Sequence, residues 1–409
     1  MHEVITKCRS CLHEQLSLVL DMGSMPLVDA LVPADRRSEL EATHPLTVVF
    51  CESCALVQIR ESLPASELFG PEYHYFSSYA DELVAHAQRN ARALIERYSL
   101  DEASLVVEPA SNDGYLLQHF ASAGISVLGI DPAHGPAARA RELGIETIGG
   151  YMTYELSESL RDAGRAADLV VANNVLAHVS DQNDFVAAVA NLLADSGAVA
   201  MEVPYVRDLV ERCEYDTIYH EHHCYFSASS VQHLFARHGL HLNDVEHLAI
   251  HGGSLRLHAS FSPGQSDRLQ AMLDVESDLG MSDHAYYADF AKMAELHRNE
   301  VRSLLGSLKA EGKTIAGYGA AAKGTVLLNF AGIGSETIDF IVDRNPAKQG
   351  KFLPGVDIPI LDPSAILERR PDYLLILPWN FTAEILAQQR QYLDEGGQAI
   401  VTNPAITIL

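Results

Sequence analysis

The chain is short of positive charge, of long apolar runs and of cysteine, and each shortage removes a class of protein. Its 409 residues carry 29 Lys and Arg against 55 Asp and Glu, a formal net charge of −26. A general nucleic-acid binder or a protein built for anionic membranes needs the opposite balance, so only a local basic pocket for a phosphate survives. No stretch approaches the roughly 20 apolar residues that a membrane-spanning helix needs. The start, MHEVITKCRS, has neither a basic n-region nor an apolar h-region. The expectation is a cytoplasmic chain with no membrane, no nucleic-acid and no obligate protein partner. Six cysteines are too few for a disulfide scaffold in a chain of this length. The length itself implies two or three domains with ample buried volume, and the composition is that of a folding globular protein.

Four of the six cysteines fall in two knuckles, Cys8-Arg-Ser-Cys11 and Cys51-Glu-Ser-Cys54, separated by strand-like runs such as Leu46-Thr-Val-Val-Phe50. Four thiolates from two tight turns match the tetrahedral demand of a structural zinc. A closed set of four sulfurs leaves no open position for catalysis. The expected role is a folding staple for a first segment too short to hold a large core alone. A redox dithiol would need only one such pair, beside a strand–helix junction. Cys213 and Cys224 lie apart and read as inert thiols.

From Leu105 the chain reads Leu-Val-Val-Glu-Pro-Ala-Ser-Asn-Asp-Gly114, an apolar strand and a tight polar turn, and a helical pattern follows. Further strands are expected at Ile125–Ile130, ending at Asp131, at Asp168–Ala172, running into Asn173 and His178, and at Ala198–Val203. Asp131 stands where an acid accepts hydrogen bonds from ribose hydroxyls in Rossmann-type sites. The first turn is not the phosphate-gripping G-x-G-x-x-G, because Ala110 occupies a usual glycine position. Glu108, Asn112, Asp113 and Gly114 suit instead a cofactor with a cationic sulfonium, an amine and no phosphate, which describes S-adenosylmethionine. A Rossmann-like domain with a merely structural turn is the plain alternative.

Asp216-Thr-Ile-Tyr-His-Glu-His-His-Cys-Tyr-Phe-Ser227 concentrates titratable groups, which suits proton transfer. Metal binding through Tyr219, Glu221 and His222 ranks second, because H-E-H-H lacks the H-E-x-x-H spacing of a helical zinc site. His178 sits where the carboxyl ends of parallel strands face a ligand crevice. After His251-Gly-Gly-Ser-Leu-Arg256, a helical stretch is expected from about Asp267 to Glu311. Lys313-Thr-Ile-Ala-Gly-Tyr-Gly-Ala-Ala-Ala-Lys323 then gives a strand followed by a Gly317-x-Gly319-x-x-Ala322 turn. Strands at Thr337–Val342 and Asp372–Leu377 complete a second α/β domain. That turn suits a diphosphate neutralised by Lys323, NAD, or nothing beyond strand–helix packing.

Taken in order, these motifs resemble one family over essentially the whole chain. It comprises the S-adenosylmethionine-dependent sugar C-methyltransferases that act on dTDP-4-keto-deoxysugars, as in the making of branched antibiotic sugars. The shared segments are the twin knuckles, the turn from Glu108 to Gly114, Asn173 to His178, Asp216 to Ser227, His251 to Arg256, Gly317 to Asn329 and Leu377 to Asn380. The departures are Pro109 and Ala110 in the turn, and His223-Cys224. The resemblance implies an α/β chain with a small zinc-binding N-terminal domain (1–75) and two Rossmann-like doubly wound α/β domains. One is the methyltransferase domain (76–260), the other a helical connector with a nucleotide-sugar-binding domain (261–409). It implies a catalytic cluster of His222, Glu221, Tyr219 and His178, joined by Tyr73 or Tyr75 from the first domain. Glu108, Asn112, Asp113, Gly114, Asp131 and Asn173 would hold the cofactor. Lys323, Gly317, Gly319, Asn329, Arg256 and Trp379 would hold the sugar nucleotide, and Cys8, Cys11, Cys51 and Cys54 the zinc. The implied reaction is deprotonation beside the ketone by His222, with Glu221 orienting or tuning it, then methylation of the resulting enolate, at C3 by preference. The rivals are an NAD-dependent dehydrogenase using the C-terminal glycine turn, a methyltransferase for another keto acceptor, and a zinc-stapled scaffold with no activity.

Overall fold

A computed structural model describes residues 3–64, 68, 76–79 and 81–409. Tyr73 and Tyr75 lie outside the described residues. Three large sheets organise the rest.

The central sheet has seven strands in the order His241–Leu248, Ser254–Ser260, Leu193–Pro204, Ala167–Asn173, Leu105–Pro109, Ser126–Asp131 and Thr147–Gly149. The last five run parallel, and the strand order reverses between Leu105–Pro109 and Ala167–Asn173. Such a reversal opens a crevice at the carboxyl ends of the strands. The strands form where the sequence puts unbroken β-branched runs, because both faces are covered; Val106, Val107 and Val170 are wholly buried. Helix Asp81–Tyr98 covers one face through Leu83, Ala87, Ala91 and Leu94, spaced as one stripe of a 3.6-residue helix. The antiparallel pair His241–Leu248 and Ser254–Ser260 is an addition to the expected parallel pattern.

The C-terminal sheet repeats this plan. Its parallel strands are Gln398–Val401, Tyr373–Ile376, Ile315–Tyr318, Phe340–Val342 and Ile358–Leu361, with the order reversing beside Ile315–Tyr318. The helical stretch before it divides into Asp267–Asp278 and Phe290–Ala310. Gly280 in the left-handed region (φ +70°) ends the first, and Asp283 accepts the Ala285 N–H to start the short turn between them. Among the described residues, no helix is long and apolar enough to cross a membrane.

The N-terminal segment touches both α/β units by strand addition. Its antiparallel strands Leu16–Pro26, Thr43–Cys51 and Val57–Ile59 accept a fourth, Cys224–Tyr225, from the segment that follows the histidine cluster. The short strand Val32–Pro33 joins the far edge of the C-terminal sheet against Lys351–Leu353. Nearby, Arg37 makes a bidentate ion pair with Asp357, both bonds 2.6 Å. These two additions close the three units around one cleft.

Candidate active site

The cleft holds a cavity of about 670 Å3. Its walls come from the carboxyl ends of the central strands, from the histidine-rich segment and from the start of helix Ala322–Ala331. Asn112, Asp131, Asn173, His178, Tyr219, Glu221, His222 and Lys323 all line it, so most of the expected residues do converge.

At one end lies the turn after Leu105–Pro109. Ala110 (φ +53°) and Asn112 (φ +49°) both occupy the left-handed region without being glycine. The turn is held by carboxylates: Asp131 accepts the N–H of Asn112 and of Ala133, each at 2.8 Å. The side chains of Asn112 and Asp113 accept the N–H groups of Ser77 (2.9 Å) and Ser78 (3.1 Å), clasping the N-terminal segment to the turn. Glu108 is buried beneath, and burial together with the charges of Asp131 and Asp113 pushes its carboxyl well above the ordinary range. Glu108, Asp113 and Gly114 therefore build the turn and do not line the cavity. Because Ala110 pays for its methyl group in backbone strain, Ala110→Gly should raise stability by about 0.5–1 kcal/mol in urea melts. A drop would mean that the methyl group packs usefully.

At the other end, the His222 ring is fixed from both sides. Its Nδ1–H donates to the Thr217 carbonyl at 2.9 Å, and its Nε2 accepts the Tyr219 hydroxyl at 2.9 Å. That pattern is the neutral imidazole with its basic nitrogen toward Tyr219. Burial, then the neighbouring His178 and Lys323, hold the ring well below the ordinary histidine value. The His178 ring meets His222 edge-on at 4.7 Å, and burial lowers it to about 4. Glu221 was expected to orient His222, but the Thr217 carbonyl does so. Glu221 lines the cavity instead, and burial with the charge of Asp29 raises its carboxyl well above its usual range.

Lys323 donates to Asn380 Oδ1 at 3.1 Å and lies 3.9 Å over the Trp379 ring. The Trp379 indole N–H in turn donates to Asp216 at 2.7 Å. Burial lowers the lysine, while Asp216 and Glu214 oppose that shift.

The four knuckle sulfurs lie within 4.8 Å of one another, with Cys8 to Cys54 at 3.6 Å and Cys11 to Cys51 at 3.4 Å. A tetrahedral zinc with about 2.3 Å bonds sets its sulfurs about 3.8 Å apart, so the donor set fits. Both knuckles close alike: Leu12 and Ala55, each left-handed, donate their N–H to the Cys8 and Cys51 carbonyls at 3.0 Å.

Three family models tile the chain: "Putative zinc binding domain" at residues 8–69, "Methyltransferase domain" at 83–245 and "C-methyltransferase C-terminal domain" at 249–404. The C-methyltransferase NovU of Streptomyces niveus is 37% identical over 405 residues, covering 98% of this chain and 96% of that protein. The chain belongs to the C-methyltransferase family. It is an S-adenosylmethionine-dependent C-methyltransferase with a structural zinc site. Two solved structures are more distant. Magnesium protoporphyrin IX methyltransferase from Synechocystis PCC 6803 with bound SAH is 15% identical, covers 44% of this chain and 85% of that one, and has a TM-score of 0.36. The glycopeptide N-methyltransferase MtfA complexed with sinefungin is 14% identical, with 43% and 87% covered and a TM-score of 0.34. Scores this low carry no argument. The dehydrogenase and scaffold readings give way to the family.

In this C-methyltransferase several expected ligand residues do other work. A Cβ on Gly317 would come within 2.8 Å of Ile341 Cγ1 on the neighbouring strand, and one on Gly319 within 2.7 Å of Pro378 beyond the strand Tyr373–Ile376, so both glycines make room for side chains of the sheet and its loop. Asn329 donates to the Thr325 and Pro354 carbonyls at 2.8 and 3.0 Å. Trp379 borders a smaller adjoining hollow rather than the main cavity. Arg256, 7% exposed, pairs with Glu202 at 2.7 Å and with Glu246 at 3.2 Å, away from the cavity. Truncating it leaves a carboxylate that is 1% exposed with only His86 at 3.0 Å and Asn90 at 3.3 Å beside it among the described residues. Arg256→Ala should therefore cost about 3–5 kcal/mol of stability. Calorimetry would show it, and a normal melt with a weakened acceptor KM would restore Arg256 as a substrate contact.

The cavity residues that the sequence did not assign include three that carry charge or a ring nitrogen. Asp29 comes from the link between Leu16–Pro26 and Val32–Pro33, Lys348 follows the strand ending at Val342, and His251 stands in the left-handed region before two glycines. Only His251, inside the His-Gly-Gly segment, carried a sequence signal.

Proposed function

We propose that this enzyme moves the S-adenosylmethionine methyl group to the carbon beside the ketone of a dTDP-4-keto-deoxysugar, C3 in the first instance, through an enolate formed by His222. The observation that carries this reading is the fixed neutral imidazole. With Nδ1–H committed to Thr217, the basic lone pair of the ring is at Nε2, beside the Tyr219 hydroxyl, and both residues line the cavity.

When the acceptor binds, the Tyr219 hydroxyl turns from Nε2 to the ketone oxygen. The freed Nε2 takes the proton from the adjacent carbon. The C–H electron pair moves into the enolate, whose oxygen is steadied by hydrogen-bond donors. Tyr219 is one such donor, and Glu221, whose carboxyl is raised above its usual range by burial, lines the same cavity. His178 packs against His222 and keeps its ring from turning. S-adenosylmethionine, when bound, supplies the electrophilic methyl to the carbanion and leaves as the thioether. Asn112, Asp131 and Asn173 line the cavity end that would hold it, and Lys323 and Lys348 line the wall suited to the diphosphate. The zinc takes no part in the reaction, because four thiolates fill its coordination.

The test is mass spectrometry after incubation with S-adenosylmethionine and dTDP-4-keto-6-deoxyglucose. A gain of one methyl at C3 is expected. No gain, with S-adenosylmethionine still raising the melting temperature, would keep the methyltransferase and reject the acceptor.

A further inference from the structure

The zinc knuckle reaches the histidine pair through one side chain. Arg9, between Cys8 and Cys11, is 8% exposed, and its guanidinium is spread over three backbone carbonyls. Nη2 donates to Glu61 at 3.0 Å and to Ile59 at 3.4 Å, and Nη1 donates to Ser180 at 3.1 Å. Ser180 lies two residues beyond His178. Ile59, at its other face, donates its N–H to the His223 carbonyl at 2.9 Å, one residue beyond His222. One planar cation thus ties together the backbone behind both histidines.

The surrounding bonds show what that tie adds to. The His223 N–H donates to the Ala177 carbonyl at 2.7 Å, joining the two histidine segments directly. Gln182 caps the turn Leu176–His178 by donating to the Leu176 and Val179 carbonyls at 2.8 and 2.6 Å. Asn183, next in the same helix, donates to the Arg9 and Ser10 carbonyls at 2.8 and 3.0 Å. On the metal side, the Arg9 N–H donates to Gln58 Oε1 at 2.9 Å, and Gln58 Nε2 donates to the Cys8 sulfur at 3.3 Å. Gln58 pairs with Cys224 in the added strand. The knuckle's backbone, Arg9 and the strand that leads out of His222–His223 form one connected hydrogen-bonded unit.

We infer that Arg9 is a positioning residue for the His178–His222 pair, through which the metal knuckle sets the geometry of proton abstraction. A folding staple alone has no need of a buried guanidinium directed at Ser180, in another unit of the chain. Arginine suits the place because its rigid fork serves several acceptors at once, which a lysine cannot do. The inference rests on His222 being the base, as proposed above.

The test uses full-length zinc-loaded Arg9→Gln and Arg9→Lys with three readouts. These are zinc content, the kcat and KM for dTDP-4-keto-6-deoxyglucose, and the His222 Nδ1–H resonance in 15N-histidine-labelled protein without acceptor. The expected result is unchanged zinc, KM within about twofold, and kcat lower by about 10- to 100-fold for Gln, with partial recovery for Lys. The resonance should broaden or vanish in Arg9→Gln. Full kcat with an intact resonance would overturn the inference. So would loss of zinc in both variants, which would make Arg9 part of the knuckle and no more. Because the resonance is read without acceptor, it still decides the matter if the sugar or the base proves to be another; retained exchange in His222→Ala would mark that separate failure.

Discussion

His222→Ala should abolish solvent exchange at the carbon beside the acceptor's ketone while leaving S-adenosylmethionine binding nearly unchanged. Removing a positioned general base costs about 10²- to 10⁴-fold. His178 presents its ring edge to His222, with burial lowering it to about 4, and burial with the charge of Asp29 raises the Glu221 carboxyl. The pH profile follows with its sign. The His222 imidazole is held below the ordinary histidine value by burial, by His178 and by Lys323, so it stays neutral as pH falls through about 6.5. The wild-type rate should be flat from pH 8 to about 6.5 and decline only in more acid solution. Deuterium uptake followed by NMR reads both effects. Retained exchange in the variant moves the base elsewhere, and a rate that climbs steadily through pH 7 shows a base with an ordinary or raised value.

Much of this arrangement was legible in the sequence, and the parts that were not share a physical reason. Parallel strands covered on both faces announce themselves as unbroken β-branched runs, so Leu105–Pro109, Ala167–Asn173 and Tyr373–Ile376 could be placed from composition alone. The twin knuckles and the Tyr-x-Glu-His cluster were visible because their chemistry is carried by side chains at fixed local spacing. The strand additions were not. Val32–Pro33 and Cys224–Tyr225 are two residues each, and their partners lie in distant parts of the chain. Thr217 was invisible for a different reason: it acts through a carbonyl that every residue possesses. Arg256, which the resemblance assigned to the sugar nucleotide, is not among the residues lining the cavity. Its partner Glu202 lies 54 residues earlier and comes beside it only when the two strands pair.

Stripping the zinc should have the largest effect of all, and it should reach beyond the first segment. Structural zinc contributes about 10–16 kcal/mol in small finger peptides, far more than the sheet it holds here can supply alone. Without the metal, four crowded thiols remain, three of them buried, and the knuckles lose what fixes them. The strand Val57–Ile59 then loses its anchor through Gln58 and Cys8. Its partner Cys224–Tyr225 and the His223 carbonyl go with it, and so does the register behind His222. One face of the central parallel sheet has a core of its own, with Val106, Leu117, Phe120 and Leu169 wholly buried, and should persist. Chelator at pH 7, or Cys54→Ala, should therefore produce a new low-temperature transition, keep most of the far-ultraviolet circular dichroism and abolish methyl transfer. Zinc added back should restore activity in the chelated wild type and not in the variant. Full activity in protein shown to be zinc-free would mean that the knuckles hold their shape through hydrogen bonds alone, and that the histidine pair owes nothing to the metal.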